Sequence, residues 1–107
     1  MQKFNLEAMT GGWFVGAFSP AAYFTDEFEV CYKFHKKGEF WETHYHKQAT
    51  EINLLIRGEM LINKEKIWAG QIFVIPPYYI STPEFLTDCE LVVIKTPSVK
   101  DDKYIIK

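Results

Sequence analysis

The sequence predicts an all-β domain of the sandwich or small-barrel class. Short apolar segments recur along most of the chain, and several of them alternate with polar residues at a period of two. Turn residues separate these segments at intervals of about eight to twelve residues. No segment has the apolar spacing of a convincing helix. Many short strands and no helix are typical of a two-layered β-fold.

Length and composition predict one domain over residues 1–107. The chain has 107 residues, of which 48% are hydrophobic and 17% aromatic, so a packed core is expected rather than disorder. The net charge of −2 gives no reason to expect nucleic acid or an anionic membrane as a partner. No apolar segment approaches the roughly 20 residues of a membrane span.

The two cysteines and the first residues of the sequence predict a cytoplasmic location. Cys31 and Cys89 form no disulfide framework, so free thiols in a reducing compartment are expected, with a single disulfide as the alternative. The first ten residues include Glu7 and lack the continuous apolar run of a signal peptide.

The first half of the chain contains three predicted strands. The first runs from Trp13 to Phe18 after the Gly11-Gly12 turn. The second covers residues 28–35, where four aromatic and aliphatic residues alternate with Glu29, Cys31, Lys33 and His35. The third covers residues 40–46 after a turn at Gly38.

The second and third strands are expected to form a hairpin, and two registers are open. An even register places the histidines of the third strand beside Val30, Tyr32 and Phe34. An odd register places them beside Cys31 and Glu29. We favour the even register, because it joins the histidines to an apolar interior, and it turns His35 away from them.

The second half of the chain contains five further predicted strands. They cover residues 51–56, 59–62, 66–69, 71–75 and 90–95, and a loop with one short strand is expected over residues 78–88. Across the turn at Arg57-Gly58, one face is predicted to hold Glu51, Asn53, Leu55, Met60 and Ile62. The opposite face of the first of these strands carries Ile52, Leu54 and Ile56, and this apolar face favours a homodimer.

His44, His46 and Glu51 form the candidate metal site. Residues two apart on a strand point to one face, so the two imidazoles lie side by side, and Glu51 follows five residues later. Two histidines and a carboxylate suit a divalent ion such as iron, manganese, nickel or zinc and leave positions open for substrate. The alternative is a metal-free network in which the buried polar side chains bond to each other.

The spacing of residues 38–58 resembles the first conserved motif of the cupins. Gly38, His44, His46, Glu51 and Gly58 match the five marker positions of that motif. The second cupin motif matches only in part, at Gly70 and Pro76. Tyr78 stands at its glycine position, Ser81 at its histidine position and Phe85 at its asparagine position.

The resemblance covers about residues 28–95 and implies a double-stranded β-helix, or jelly roll, with a metal inside the barrel. His44, His46 and Glu51 correspond to three family ligands, and Ser81 replaces the fourth. The site therefore offers a triad, completed by water or by Ser81. The chain also looks like small stand-alone cupins that accompany nucleotide-sugar and polysaccharide enzymes.

Further polar and aromatic residues are candidates for binding a small polar molecule. They are Tyr32, Phe40, Asn53, Tyr78 and Ser81, and for the aromatic residues the alternative is ordinary packing. If the protein is an enzyme, the resemblance favours isomerisation or epimerisation of a sugar derivative, and the open triad favours dioxygenation. The rival hypothesis is a metal-free binding or regulatory module, because the second-motif histidine is absent and the sequence reveals no proton-transfer pair.

Overall fold

The computed structural model describes residues 1–107 and confirms the all-β prediction. Two 3-10 turns, Leu6–Ala8 and Thr10–Gly12, precede the strands. The structure contains no helix with the length and apolar character of a membrane span. The eleven strands are β1 (Trp13–Gly16), β2 (Tyr23–Phe24), β3 (Glu29–His35), β4 (His44–Tyr45), β5 (Thr50–Arg57), β6 (Glu59–Ile62), β7 (Glu65–Trp68), β8 (Ile72–Ile75), β9 (Pro83–Phe85), β10 (Cys89–Thr96) and β11 (Tyr104–Ile105).

A six-stranded sheet forms one layer, in the order β2-β1-β3-β10-β5-β8. Strand β10 lies between β3 and β5 and is antiparallel to both. Its alternate residues Cys89, Leu91 and Val93 are buried, because they point to the interior while their neighbours face outward. This sheet supplies one wall of the barrel.

The opposite layer consists of two smaller sheets, β7-β6-β9 and β11-β4. The hydrophobic core lies between the layers and includes Leu55, Met60 and Phe85. The chain changes layers at Gly58, whose φ is 103°. A Cβ atom there would lie 2.3 Å from the carbonyl oxygen of Asp88, so this corner requires glycine.

Strand β3 does not form a hairpin with β4, so the predicted even register is wrong. Strand β3 pairs with β1 and β10 instead. The segment after β3 leaves the large sheet and crosses to the other layer. The alternation of side chains along β3 therefore does not determine which side chains of β4 point inward. The interior face of β3 carries Cys31, Lys33 and His35, whereas the favoured register pointed His35 away.

The predicted strand over residues 40–46 is reduced to His44–Tyr45. Trp41 and His44 both line the interior although they are three residues apart. A regular strand cannot point both inward, because its side chains alternate. Phe40, adjacent to Trp41, is consequently 80% exposed.

The C-terminal segment packs against the histidine strand. Strand β11 pairs with β4 and places Ile105 opposite His44. Asp102 is only 6% exposed and accepts hydrogen bonds from the backbone N–H groups of Lys47, Gln48 and Ala49 at 2.9–3.2 Å. The turn that follows His46 is thereby fixed by a carboxylate from the end of the chain.

Candidate functional site

A cavity of about 210 Å³ opens between the two layers. Five predicted site residues line it, namely His44, His46, Glu51, Asn53 and Ser81. Side chains that the sequence analysis did not select also line it, including Trp13, Lys33, His35, Trp41, Lys95 and Lys103. The structure therefore places the predicted triad in a cavity that is richer in basic groups than expected.

The three candidate ligands converge although they come from two layers of the barrel. His44 and His46 lie on and just after β4, and Glu51 lies on β5. One potential ligand atom from each residue lies within 4.8 Å of the other two. The Nδ1 atom of His46 is 3.6 Å from Oε2 of Glu51. Two imidazoles and one carboxylate in this arrangement match the donor set of a divalent transition metal.

The orientation of His44 leaves one nitrogen available to a ligand. Its Nδ1 atom donates a hydrogen bond to the backbone carbonyl oxygen of Glu42 at 2.8 Å. Since Nδ1 must then carry the proton, Nε2 of the neutral ring presents its lone pair. A hydrogen bond from the far nitrogen to a carbonyl is the usual way in which a metal-binding histidine is oriented.

His46 is buried and lacks a hydrogen-bond partner at Nε2. The residue is 4% exposed, and no protein atom is paired with this nitrogen. Burial is the main cause that lowers the pKa of His46 to about 4, and the positive charge of Lys95 acts in the same direction. The ring is therefore neutral near pH 7, which is the state in which imidazole binds metals.

Ser81 lies beside His44, as the partial second motif predicted. The two residues form an antiparallel bridge, with backbone N–H to carbonyl oxygen distances of 3.1 and 2.9 Å. Ser81 is 3% exposed and lines the cavity. Ser81 therefore lies in the same cavity as the three candidate ligands.

His35, which the sequence analysis did not select, also lines the cavity and is paired with Glu39. Nδ1 of His35 is 2.6 Å from Oε2 of Glu39, and the indole N–H of Trp41 donates to the same oxygen at 2.7 Å. The His35 ring stacks on Phe85 with 4.1 Å between the ring centroids. Burial would raise the pKa of Glu39, but these hydrogen bonds lower it below its ordinary value, so Glu39 is a carboxylate that fixes the ring.

Three predicted substrate-binding residues lie outside the cavity. Tyr32 is on the opposite face of β3 from the cavity-lining residues, and its hydroxyl donates to Glu90. Phe40 and Tyr78 are 80% and 66% exposed. Tyr78 supports the site through its backbone, because its N–H donates to the carbonyl oxygen of His46 at 2.6 Å.

Neither cysteine has the character of a nucleophile. Both are free and buried, as predicted. Burial raises the pKa of Cys31 to about 12 and also raises the pKa of Cys89. Thiols with raised pKa values are protonated near pH 7 and react weakly.

Comparison with known proteins shows the fold. No family model and no curated protein sequence matches the chain. An RmlC-like cupin with a double-stranded β-helix fold from Methanocaldococcus jannaschii is 21% identical, with a TM-score of 0.61 over 69% of this chain and 73% of that one. KdgF from Halomonas sp. is 18% identical, with a TM-score of 0.64 over 72% and 74%.

The DMSP lyase DddQ from Ruegeria pomeroyi also matches, with 13% identity and a TM-score of 0.70. The match covers 85% of this chain but 48% of the lyase, so the chain spans about half the length of that protein. At these identities the likeness concerns backbone architecture. The chain has the double-stranded β-helix fold of the cupins, so the fold implied by the motif over residues 38–58 is confirmed.

Proposed function

We propose that the protein binds one divalent metal ion through His44, His46 and Glu51 and is a metal-dependent enzyme acting on a small polar molecule. The observation that carries this proposal is the convergence of the three donor groups in a cavity, with Nε2 of His46 buried and unpartnered. An unpaired buried nitrogen costs free energy that a bound ligand removes. A divalent metal held there supplies Lewis-acid polarisation of a substrate oxygen.

The His35–Glu39 pair supports proton transfer as the chemistry. With Nδ1 of His35 donating to the Glu39 carboxylate, Nε2 of the same ring is the basic nitrogen. A histidine oriented by a carboxylate is a suitable general acid or base. This pair favours isomerisation, epimerisation or elimination over dioxygenation, because those reactions begin with removal of a proton from carbon. A lyase of the same fold supports the same choice.

Replacement of His35 by glutamine is expected to slow proton exchange at a substrate carbon strongly. Metal-loaded protein is incubated in D₂O with a panel of small hydroxy acids, aldoses and ketoses, and loss of C–H resonances is followed by proton NMR. The wild type should exchange one C–H of at least one compound, and His35→Gln should slow that exchange by about 100-fold or more.

The control is metal content, which His35→Gln should leave unchanged because His35 is not in the triad. Exchange at the wild-type rate in His35→Gln would remove this residue from the mechanism. A panel that binds without any exchange would support the rival hypothesis of a non-catalytic binding module.

The outer face of the six-stranded sheet supports the proposal that the protein is a homodimer. Leu54, Ile56, Ile72 and Val74 are 36%, 47%, 66% and 57% exposed, and Leu54 and Ile72 are directly opposite each other in the ladder. Exposed, contiguous apolar side chains of this kind mark interaction surfaces. A patch of apolar side chains is complementary to a second copy of itself, as a two-fold interface requires.

Sedimentation equilibrium is expected to give a dimer for the wild type and a monomer for Ile72→Lys combined with Val74→Lys. Phe24→Lys, a change at the opposite edge of the same sheet where the side chain is 70% exposed, is the control and should remain dimeric. A monomeric wild type at high concentration would contradict the proposal.

A further inference from the structure

Three lysines from separate elements line the cavity that holds the triad. Lys33 comes from β3, Lys95 from β10, and Lys103 from the segment before β11. None of them forms an ion pair with a carboxylate. Lysine side chains normally extend into water, so the convergence of three unpaired ammonium groups on one cavity calls for a counter-charge.

Two tryptophans hold these ammonium groups at the cavity. The Nζ atoms of Lys33 and Lys95 lie 5.8 and 5.2 Å from the ring centroid of Trp13, and Nζ of Lys103 lies 4.2 Å from that of Trp41. Contacts between cations and aromatic rings at these distances are attractive. Nζ of Lys33 also donates to the carbonyl oxygen of Gly11 at 2.6 Å. Each ammonium group has three N–H donors, so donors remain for a ligand.

The charge of the cavity is opposite to that of the whole chain. The sequence has a net charge of −2, yet the only carboxylate among the cavity-lining residues is Glu51, against three lysines. Partial burial is the main cause of the lowered pKa of Lys103; the charges of Lys95 and Lys33 lower it further, whereas those of Glu42 and Glu51 act in the opposite direction. A bound divalent cation would add to this excess of positive charge.

Asn53 gives an independent indication of a ligand. It is 3% exposed and lines the cavity between its ladder neighbours Val93 and Phe73, and its Nδ2 has no hydrogen-bond partner. Buried polar atoms are nearly always paired. The unpaired group is a hydrogen-bond donor, like the lysine ammonium groups, so an oxygen acceptor would satisfy both.

We infer that the cavity binds a small organic oxyanion, a carboxylate or a phosphate, through Lys33, Lys95, Lys103 and the side-chain amide of Asn53. The volume of about 210 Å³ lies below the roughly 300–1,000 Å³ of pockets for drug-sized ligands, so it fits a molecule of a few carbon atoms. The oxyanion would be the substrate of the proposed enzyme. Its binding does not depend on the proposed function, but its conversion does.

The test compares three ligands of similar size: glycerol, glycerate and glycerol 3-phosphate. Binding is followed by the fluorescence of the cavity tryptophans and by calorimetry, in chelator-treated and in metal-loaded protein. One of the two anions should bind at least tenfold more tightly than glycerol, and which of them binds decides between carboxylate and phosphate. Equal affinities for all three compounds would overturn the inference.

Variants locate the binding to the lysines. Lys95→Met and Lys103→Met should each weaken anion binding about tenfold or more and leave metal content unchanged, because a hydrogen bond to a charged group contributes that much. Lys100→Met, a change at an exposed lysine outside the cavity, is the control. Unchanged anion affinity in both cavity variants would refute the lysine site.

Anion affinity and metal uptake, measured on the same protein, also separate this inference from the proposed function. If the protein takes up no metal but still binds the anion, the oxyanion site is supported and the proposal of a metal-dependent enzyme is refuted. Metal uptake without preference for either anion would do the reverse.

Discussion

Replacement of Glu51 by alanine is expected to weaken divalent-metal binding by at least tenfold. Glu51 supplies the only carboxylate of the triad, with Oε2 3.6 Å from His46 and its side chain only 15% exposed. Changes even to groups that only orient a ligand cost about 10- to 100-fold in metal affinity, so loss of a ligand should cost no less. Titration of Mn²⁺, Ni²⁺ and Zn²⁺ by calorimetry measures the effect.

Glu42→Ala is the matched control for this change. Glu42 is an exposed carboxylate two residues from His44 that does not line the cavity. Its backbone carbonyl, which accepts the hydrogen bond from His44, is retained in the variant. Metal affinity should therefore stay at the wild-type value. If Glu51→Ala also binds metal like the wild type, Glu51 is not a ligand.

Replacement of Asp102 by asparagine is expected to lower the free energy of unfolding by about 2 kcal/mol or more. The carboxylate accepts four hydrogen bonds from three backbone N–H groups that follow His46. Asparagine keeps one oxygen but turns an NH₂ group towards buried donors. For a domain of this size the melting temperature should fall by about 10 °C.

Asp101→Asn is the control for stability, since the same chemical change is made at an exposed neighbour. Burial would raise the pKa of Asp102, but hydrogen bonds from Ala49, Lys47 and Gln48 lower it below its ordinary value. Its contribution is therefore present above the unfolded-state pKa of about 4 and is lost as pH falls through the native pKa. Wild type and Asp102→Asn should differ most near pH 7 and converge in acid. A constant difference would contradict this assignment.

The sequence was most informative where alternation and spacing act locally. The positions of Glu51 and Asn53 on one face of β5 follow from the period of two, and both line the cavity. Gly58 was predicted at a turn and lies at a corner that excludes any Cβ. Ser81 could be placed beside His44 because the residues between Gly70 and Ser81 keep the family spacing.

The site residues that the sequence did not predict depend on contacts between distant segments of the chain. The favoured register predicts the wrong face for His35 because it requires a hairpin between β3 and β4, whereas β3 pairs with β10. Lys103 lies in the C-terminal segment, and Asp102 fixes that segment to the turn after His46. Pairing between segments that are far apart in the chain leaves no periodic pattern in the sequence.

The metal content of untagged protein, measured by plasma mass spectrometry beside His44→Ala, tests the central claim most directly. His44 keeps Nε2 free by donating from Nδ1, and its removal deletes one of three donors from the cavity. We predict near-stoichiometric iron, nickel, manganese or zinc in the wild type and its loss in the variant. Wild-type protein that holds no metal, and takes up none when metal is added, would contradict the account and leave a metal-free barrel.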